Sequence, residues 1–228
     1  MSVSFPAPGG VILFDLDDTL ILATDMARAM PIFKTHTGYA TIVKVGEGKG
    51  AVSMFVAIRP FALASIVMLL NAGYKVGFWS AGSPSYVSAI VRRLIDAVRL
   101  LQAKKTRVQS MMEFKPFEPV AVIALDQQRL KWVRLLSEEN DLPRMEVETL
   151  VPCPSRDITK YMHLIQSTHP NLSTYSERAI LLIDNLPQDI KFTHQVQAFE
   201  PPQSASGTEA PLDKTLLTLS RTIVKSIA

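Results

Sequence analysis

Apolar residues in this chain fall into two kinds of run. Residues 11–14 (VILF), 75–79 (KVGFW), 120–125 (VAVIAL) and 179–183 (AILLI) are short and nearly unbroken, with polar residues at one or both ends. Such blocks predict strands buried on both faces, as in a parallel sheet. Between them lie longer stretches with helical spacing. Residues 61–71 read as a helix that Arg59-Pro60 opens and Gly73 closes, and a second starts near Pro84 and runs to about Arg99. Further helices are expected at 129–139, where NDLPR breaks the run, and at 157–166, before the loop His169-Pro170-Asn171. Residues 41–45 and 52–58 are β-rich with GEGKG between them, which signals a hairpin, and 146–151 reads as another strand. Residues 97–119 carry no clear period, and FKPFEP within them is a loop. Residues 200–211 (EPPQSASGTEAP) read as a linker, and 212–228 as an amphipathic C-terminal helix with Leu216, Leu217, Leu219, Ile223 and Ile227 on its apolar side.

Strands alternating with helices predict an α/β fold: a parallel sheet flanked by helices, with a small hairpin flap at 41–58. The length, 228 residues, suits one domain over 1–228. With 47% hydrophobic and 20% charged residues, composition is that of a globular protein and changes nothing in this picture. A net charge of +3 fits an anionic substrate without calling for nucleic acid. The basic cluster Lys104, Lys105, Arg107 has no interleaved aromatics and reads as a solvated face. One cysteine, Cys153, excludes an internal disulfide and fits a reducing compartment. Residues 1–10 show no secretory signal, and the longest apolar run, 61–70, is too short to cross a bilayer. The four histidines, His36, His163, His169 and His194, lack metal-ligand spacing and read as structural or surface groups.

Chemistry enters at the strand ends. In an open parallel sheet, ligands sit beyond the carboxyl ends of the strands. Three such ends are polar here: 15–19 (DLDDT), 80–83 (SAGS) and 184–185 (DN). Crowding Asp15, Asp17 and Asp18 at the end of an apolar strand opposes both desolvation and like-charge repulsion. A carboxylate there can act as a covalent nucleophile, and a second one two positions on can handle a proton. Neighbouring carboxylates call for a cation, and Mg²⁺ prefers oxygen ligands. A hydroxyl at a second strand end and a nearby Lys or Arg can hold phosphate oxygens. Together these parts describe phosphoryl transfer.

DLDDT (Asp15 to Thr19) resembles the first motif, DxDx[TV], of the haloacid dehalogenase-superfamily phosphatases. TIVKVGEGKGAVSMFVAIRP resembles the hairpin and Arg-Pro of the RNA polymerase II C-terminal-domain phosphatases, the NLI-interacting-factor-like branch. KVGFWSAGSPSYV resembles their second motif, with Ser80 at the Thr/Ser position and Tyr86 at a matching aromatic. CPSRDITKY resembles the third motif and ILLIDNLPQDI the fourth. The ordered set spans most of residues 10–200.

The resemblance implies a HAD-like, Rossmann-type fold and a Mg²⁺-dependent phosphatase. By it, Asp15 is the nucleophile and Asp17 the acid and base. Asp15, the Asp17 carbonyl and Asn185 hold the metal with Asp184 beside them, and Thr19 and Ser80 bind phosphate. Register places Arg156 where the third motif has Lys, and Lys160 lies one helical turn on; either can serve as the phosphate-binding cation. The stretch 97–150 is longer than in small members of the family and reads as an insert between the second and third motifs. The implied substrate is a phosphorylated protein, the polymerase tail being one candidate, in nucleus or cytoplasm, and a viral origin is compatible. Two other functions fit the same motifs: a small-molecule phosphatase with 97–150 as its cap, and an adaptor of low activity. Oligomeric state is not readable from the sequence.

Overall fold

The computed structural model describes residues 5–25, 28–29, 39–46, 48–106, 116–126, 131–134, 145–146, 160, 162, 166, 169–188, 193–199 and 213–226. Ten strands and three helices of at least ten residues are formed among them: β1 (Val11–Phe14), β2 (Ile21–Asp25), β3 (Ala40–Val45), β4 (Val52–Ile58), α1 (Ala62–Asn71), β5 (Lys75–Trp79), α2 (Pro84–Thr106), β6 (Val122–Asp126), β7 (Lys131–Arg134), β8 (Met145–Glu146), β9 (Ile180–Asp184), β10 (Thr193–Gln195) and α3 (Thr215–Lys225).

The main sheet has the order β10-β9-β1-β5-β6-β7-β8. Its first five strands are parallel, and β7 and β8 add antiparallel at one edge. This is the expected α/β architecture. All four residues of β1 are fully buried, because β1 is central and both its faces are covered. Alternation divides them: Ile12 and Phe14 join Val76, Phe78, Leu181 and Ile183 in one core, under α1, α2 and α3. Val11 and Leu13 join Trp79, Ile123, Leu182 and Leu172 in the other. In β5, Gly77 is required by space, since a Cβ there would lie 2.7 Å from the Ala121 carbonyl oxygen and 2.8 Å from Leu13.

The flap is larger than a hairpin. β3 and β4 pair antiparallel as expected, with a 3₁₀ turn at Gly48–Gly50, and β2 adds on the other side of β4 to give a three-stranded sheet. The resumption of apolar residues at Ile21 is the start of that strand, five residues long and only partly buried. β10 was likewise not anticipated; three residues are too few to show a period.

Two expectations are corrected. The helix expected at 129–139 is contradicted, because Lys131–Arg134 is a strand paired antiparallel with β6. Four residues cannot display a helical period, and the pairing edge of β6 overrides the local preference. Helix α2 runs on to Thr106 rather than ending near Arg99. Residues 145–146 form the strand β8, whereas 147–151 of the expected strand lie outside the described residues. Of the helix expected at 157–166, Met162 and Gln166 are helical, Lys160 is not, and the remainder lies outside the described residues. So do the linker at 200–211, apart from its neighbours, and Cys153. Helix α3 packs on α1 through buried Leu216, Leu219 and Ile223, as its apolar stripe predicts. No helix among the described residues is long and apolar enough to cross a membrane.

Candidate active site

The register of the central strands brings two acidic ends together. Phe14 lies opposite Ile183 in the β1–β9 pair, so Asp15 and Asp184 follow as neighbours. The Asp15 amide extends the ladder by donating to the Ile183 carbonyl at 2.9 Å. Beyond Asp15 the chain turns sharply. The Leu16 carbonyl accepts from the amides of Thr19 (3.3 Å), Leu20 (2.8 Å) and Ile21 (3.0 Å), and Asp18 takes a left-handed conformation with φ 57°. That turn raises Asp17 and Thr19 over the sheet end.

Lys160 is the centre of the cluster. Its ammonium, buried to 2% exposure, donates to Asp15 Oδ1 at 2.5 Å and to Asp184 Oδ2 at 2.6 Å. Gln188 ties this pair together from the side. It accepts from the Lys160 main-chain N–H at 2.9 Å and donates to Asp184 Oδ2 at 3.1 Å. Asp184 Oδ1 accepts from the Leu186 amide at 2.8 Å, so both its oxygens are engaged. Asp15 differs: its Oδ2 has no hydrogen-bond partner among the described residues.

Thr19 faces the fourth-motif loop. Its hydroxyl accepts from the Asn185 amide at 2.9 Å and donates to Asn185 Oδ1 at 3.2 Å. Asp17 is held by the Tyr86 hydroxyl, which donates to its Oδ1. Tyr86 sits in the first turn of α2, and Gly82 makes room for it, since a Cβ at Gly82 would lie 2.5 Å from the Tyr86 ring. Ser80, at the end of β5 next to β1, is buried, and its hydroxyl accepts from the Gly82 amide at 3.0 Å.

Burial dominates the electrostatics. Desolvation pushes the Asp15 carboxyl up to about 7; Lys160 pulls it down, and Asp184 and Asp17 push it up. Asp17 is raised for the same first reason, with the Tyr86 hydrogen bond opposing the shift. The Tyr86 phenol is raised by burial and by Asp17, which keeps it a donor. Three carboxylates therefore converge on one ammonium, and negative charge is in excess.

That excess and the donor chemistry fit a hard divalent cation. The described residues hold no group of three or more His, Cys, Asp or Glu side chains arranged to hold an ion. The oxygens that could serve one are mixed: the Asp15 carboxylate, the Asp17 carbonyl and the Asn185 amide oxygen. Of the candidate residues named from the sequence, the structure joins Asp15, Lys160 and Asp184 in one hydrogen-bonded group and Thr19 and Asn185 in a second, the two meeting where Asp184 and Asn185 adjoin in the chain, with Asp17 two residues from Asp15. Ser80 lies on the adjacent strand end, and Arg156 falls outside the described residues. Gln188 and the Asp17 contact of Tyr86 were not foreseen. Tyr86 was noted only as a matching aromatic, and Gln188 carries no local signal, because its role depends on where Lys160 arrives.

A family model described as NLI interacting factor-like phosphatase matches residues 11–141, more than half of the chain. The chain belongs to the NLI interacting factor-like phosphatase family. The resemblance seen in the motifs is therefore borne out at that level. Among solved structures, an arginine-to-alanine variant of the fission yeast RNA polymerase II CTD phosphatase Fcp1 bound to beryllium fluoride is similar at 13% identity and TM-score 0.46, with 96% of this chain and 50% of that one covered. A second structure of Fcp1, an essential RNA polymerase II CTD phosphatase, is similar at 13% identity and TM-score 0.46, covering 96% of this chain and 48% of that one. The chain thus spans about half the length of these neighbours. No curated protein matches it.

Proposed function

We propose that this member of the family is a Mg²⁺-dependent phosphomonoesterase working through an aspartyl-phosphate on Asp15, with phosphoserine or phosphothreonine in a protein as its substrate. The observation that carries the reading is the asymmetry at Asp15. One oxygen is fixed by buried Lys160, and the other has no partner among the described residues. A carboxylate with its orientation set by one oxygen and its other oxygen open is placed to attack.

In the first step an Asp15 oxygen forms a bond to phosphorus while the ester P–O bond breaks. Asp17 gives its proton to the departing oxygen. In the second, Asp17 takes a proton from water as the water oxygen bonds to phosphorus, and the bond between phosphorus and Asp15 breaks. Inorganic phosphate leaves and both carboxyl groups are restored. Burial favours the protonated form of Asp17, which suits the first step, and Tyr86 fixes its orientation. Lys160 offsets charge on the phosphoryl oxygens, the Ser80 hydroxyl donates to them, and Thr19, whose hydroxyl is committed to Asn185, steadies the loop beside them. Mg²⁺, held by Asp15, the Asp17 carbonyl and Asn185 with Asp184 beside them, would supply charge neutralisation. Lys160 takes the third-motif role here, being the cation seated between the two strand-end carboxylates.

A protein substrate is supported by the size of the segment between the first two motifs, whose described part is a three-stranded flap. The small-molecule alternative needs residues 97–150 as a cap. Their described strands instead extend the main sheet, which weighs against it. The adaptor alternative leaves the Lys160 cluster without a use. The polymerase tail, a nuclear or cytoplasmic setting, a single domain and no direct nucleic-acid partner belong to the same proposal. The test is hydrolysis of p-nitrophenyl phosphate with Mg²⁺ and with chelator, followed by phosphopeptides against sugar phosphates and nucleotides. Asp15→Asn should lower turnover by about a thousandfold or more. Equal activity in that variant overturns the mechanism, and preference for sugar phosphates overturns the substrate.

A further inference from the structure

We infer that Asp213, at the entrance to the C-terminal helix α3, is a positioning residue for the catalytic turn, acting through Arg59; its catalytic consequence rests on the phosphatase reading above. The turn at 15–21 needs support from outside. Asp18 sits at φ 57°, a left-handed conformation that persists in a non-glycine residue where surroundings fix it.

Three carbonyls of that turn are gripped by distant parts of the chain. The Phe199 amide donates to the Asp18 carbonyl at 2.6 Å, and Arg59 Nη1 donates to the Thr19 carbonyl at 3.1 Å. The Arg59 main-chain amide adds a bond to the Leu20 carbonyl at 2.8 Å. Arg59 itself is 2% exposed. A cation buried that deeply needs an anion, and Asp213 provides it: Arg59 Nε donates to Asp213 Oδ2 at 2.6 Å. The guanidinium also stands 5.7 Å from the centre of the Phe199 ring.

The direction of the Asp213 carboxylate is set by the helix behind it. Its Oδ1 accepts from the amide of Thr215, the first residue of α3, at 2.9 Å. Buried Leu216, Leu219 and Ile223 anchor that helix on the body. The order of control therefore runs from helix to Asp213, from Asp213 to the plane of the Arg59 fork, and from Arg59 to the Thr19 carbonyl. On its other side the Thr19 hydroxyl meets Asn185. Asp213 touches neither Asp15 nor Asp17 by any of these bonds. It lies far beyond residues 11–141, which the family model covers.

The test uses the full chain with Asp213→Ala, Asp213→Asn and Asp213→Glu. For Asp213→Ala, kcat on p-nitrophenyl phosphate should fall about tenfold, with KM changed less than about twofold, since the substrate-binding groups stay while the attacking turn loosens. Asp213→Glu, which keeps the anion, should recover part of the loss. Amide hydrogen exchange at Leu20 and Ile21 should quicken, while the amides of β1 and β5 keep their protection. If kcat is unchanged, or if it drops only in proportion to a lost folded fraction, the inference fails. If Asp213→Ala does not fold, Asp213→Asn, which keeps the shape and loses the charge, decides by the same criteria. If the native chain shows no turnover dependent on Asp15, the phosphatase reading fails. Exchange at Leu20 and Ile21 then decides the inference alone: unchanged rates overturn it, and faster rates confined to the turn support it.

Discussion

Two buried cations organise this protein, and they are balanced in opposite ways. Lys160 stands between two carboxylates, Asp15 and Asp184, with Asp17 close enough to feel its charge. Arg59 stands against one carboxylate, Asp213, and completes its bonding on a neutral carbonyl and an aromatic face. The consequences show in the acids. Desolvation raises Asp15 to about 7 in spite of Lys160. Burial also pushes Asp213 up, but the Thr215 hydroxyl and amide and Arg59 outweigh it and hold the carboxyl below its ordinary value. A cluster with more anions than cations is poised to accept a further cation and an electrophile. A matched pair is poised to stay put. On this contrast the first cluster suits the proposed chemistry, and the second suits holding the turn on which that chemistry would sit.

The contrast breaks most sharply at Lys160. Lys160→Met removes the ammonium that both buried carboxylates share and leaves them facing each other without it. Removing one partner of a buried pair costs about 3–5 kcal/mol. The variant should therefore unfold at clearly lower temperature in chelator, and its turnover should fall by about a hundredfold or more. Added Mg²⁺ should return part of the lost thermal stability, because a cation that binds only the folded state stabilises it by mass action. A variant whose melting temperature in chelator matches the native chain would show that the cluster is not short of positive charge.

A smaller effect is expected one bond away. Gln188→Ala leaves all the charges in place and deletes the link between the Lys160 main chain and Asp184. Two partly exposed hydrogen bonds are worth about 1–2 kcal/mol together. Turnover should drop by about three- to tenfold, with a melting shift of only a few degrees. Gln188→Glu should be worse than Gln188→Ala, since it places another anion against Asp184. The reverse order would mean that Gln188 does not face Asp184 in solution.

How far these clusters could be read in advance depended on how local their signals are. Asp15, Asp17, Thr19 and the pair Asp184 and Asn185 lie where an unbroken apolar strand stops, a signal carried by the four or five residues before each. The parallel sheet is legible in the same blocks, whereas the order β9, β1, β5 comes from the structure. Lys160 could not be chosen over Arg156 from spacing, because one helical turn separates them and only the folded chain shows Lys160 seated between the carboxylates. Lys131–Arg134 was misread as helix because its identity as a strand comes from the open edge of β6, not from its own residues. Arg59 looked like the opening of a helix next to Pro60. Its buried side chain takes meaning from Asp213, with which it shares no local pattern. Local periodicity thus carried the sheet and the acids, while pairings across long separations had to wait for the structure.

The mildest test of the contrast is the pH dependence of stability. Asp213 is lowered in the folded chain, so its ordinary, higher value belongs to the unfolded one. Above about pH 4 it is a carboxylate in both states and its full contribution is present. As pH falls further, the unfolded chain takes up its proton first, and the contribution is lost through the folded value. Native chain and Asp213→Asn should therefore converge in stability on going from pH 6 to pH 3. Every other carboxyl, including the raised Asp15 and Asp17, titrates in both proteins and cancels in the difference. The Asp213 side chain is 24% exposed, so the part of the difference that titrates away between pH 6 and pH 3 should be about 1 kcal/mol or less, screened by water. Urea midpoints at half-unit steps of pH measure it. A difference that widens toward pH 3 would mean that Asp213 is raised like Asp15, and the two clusters would no longer be opposites.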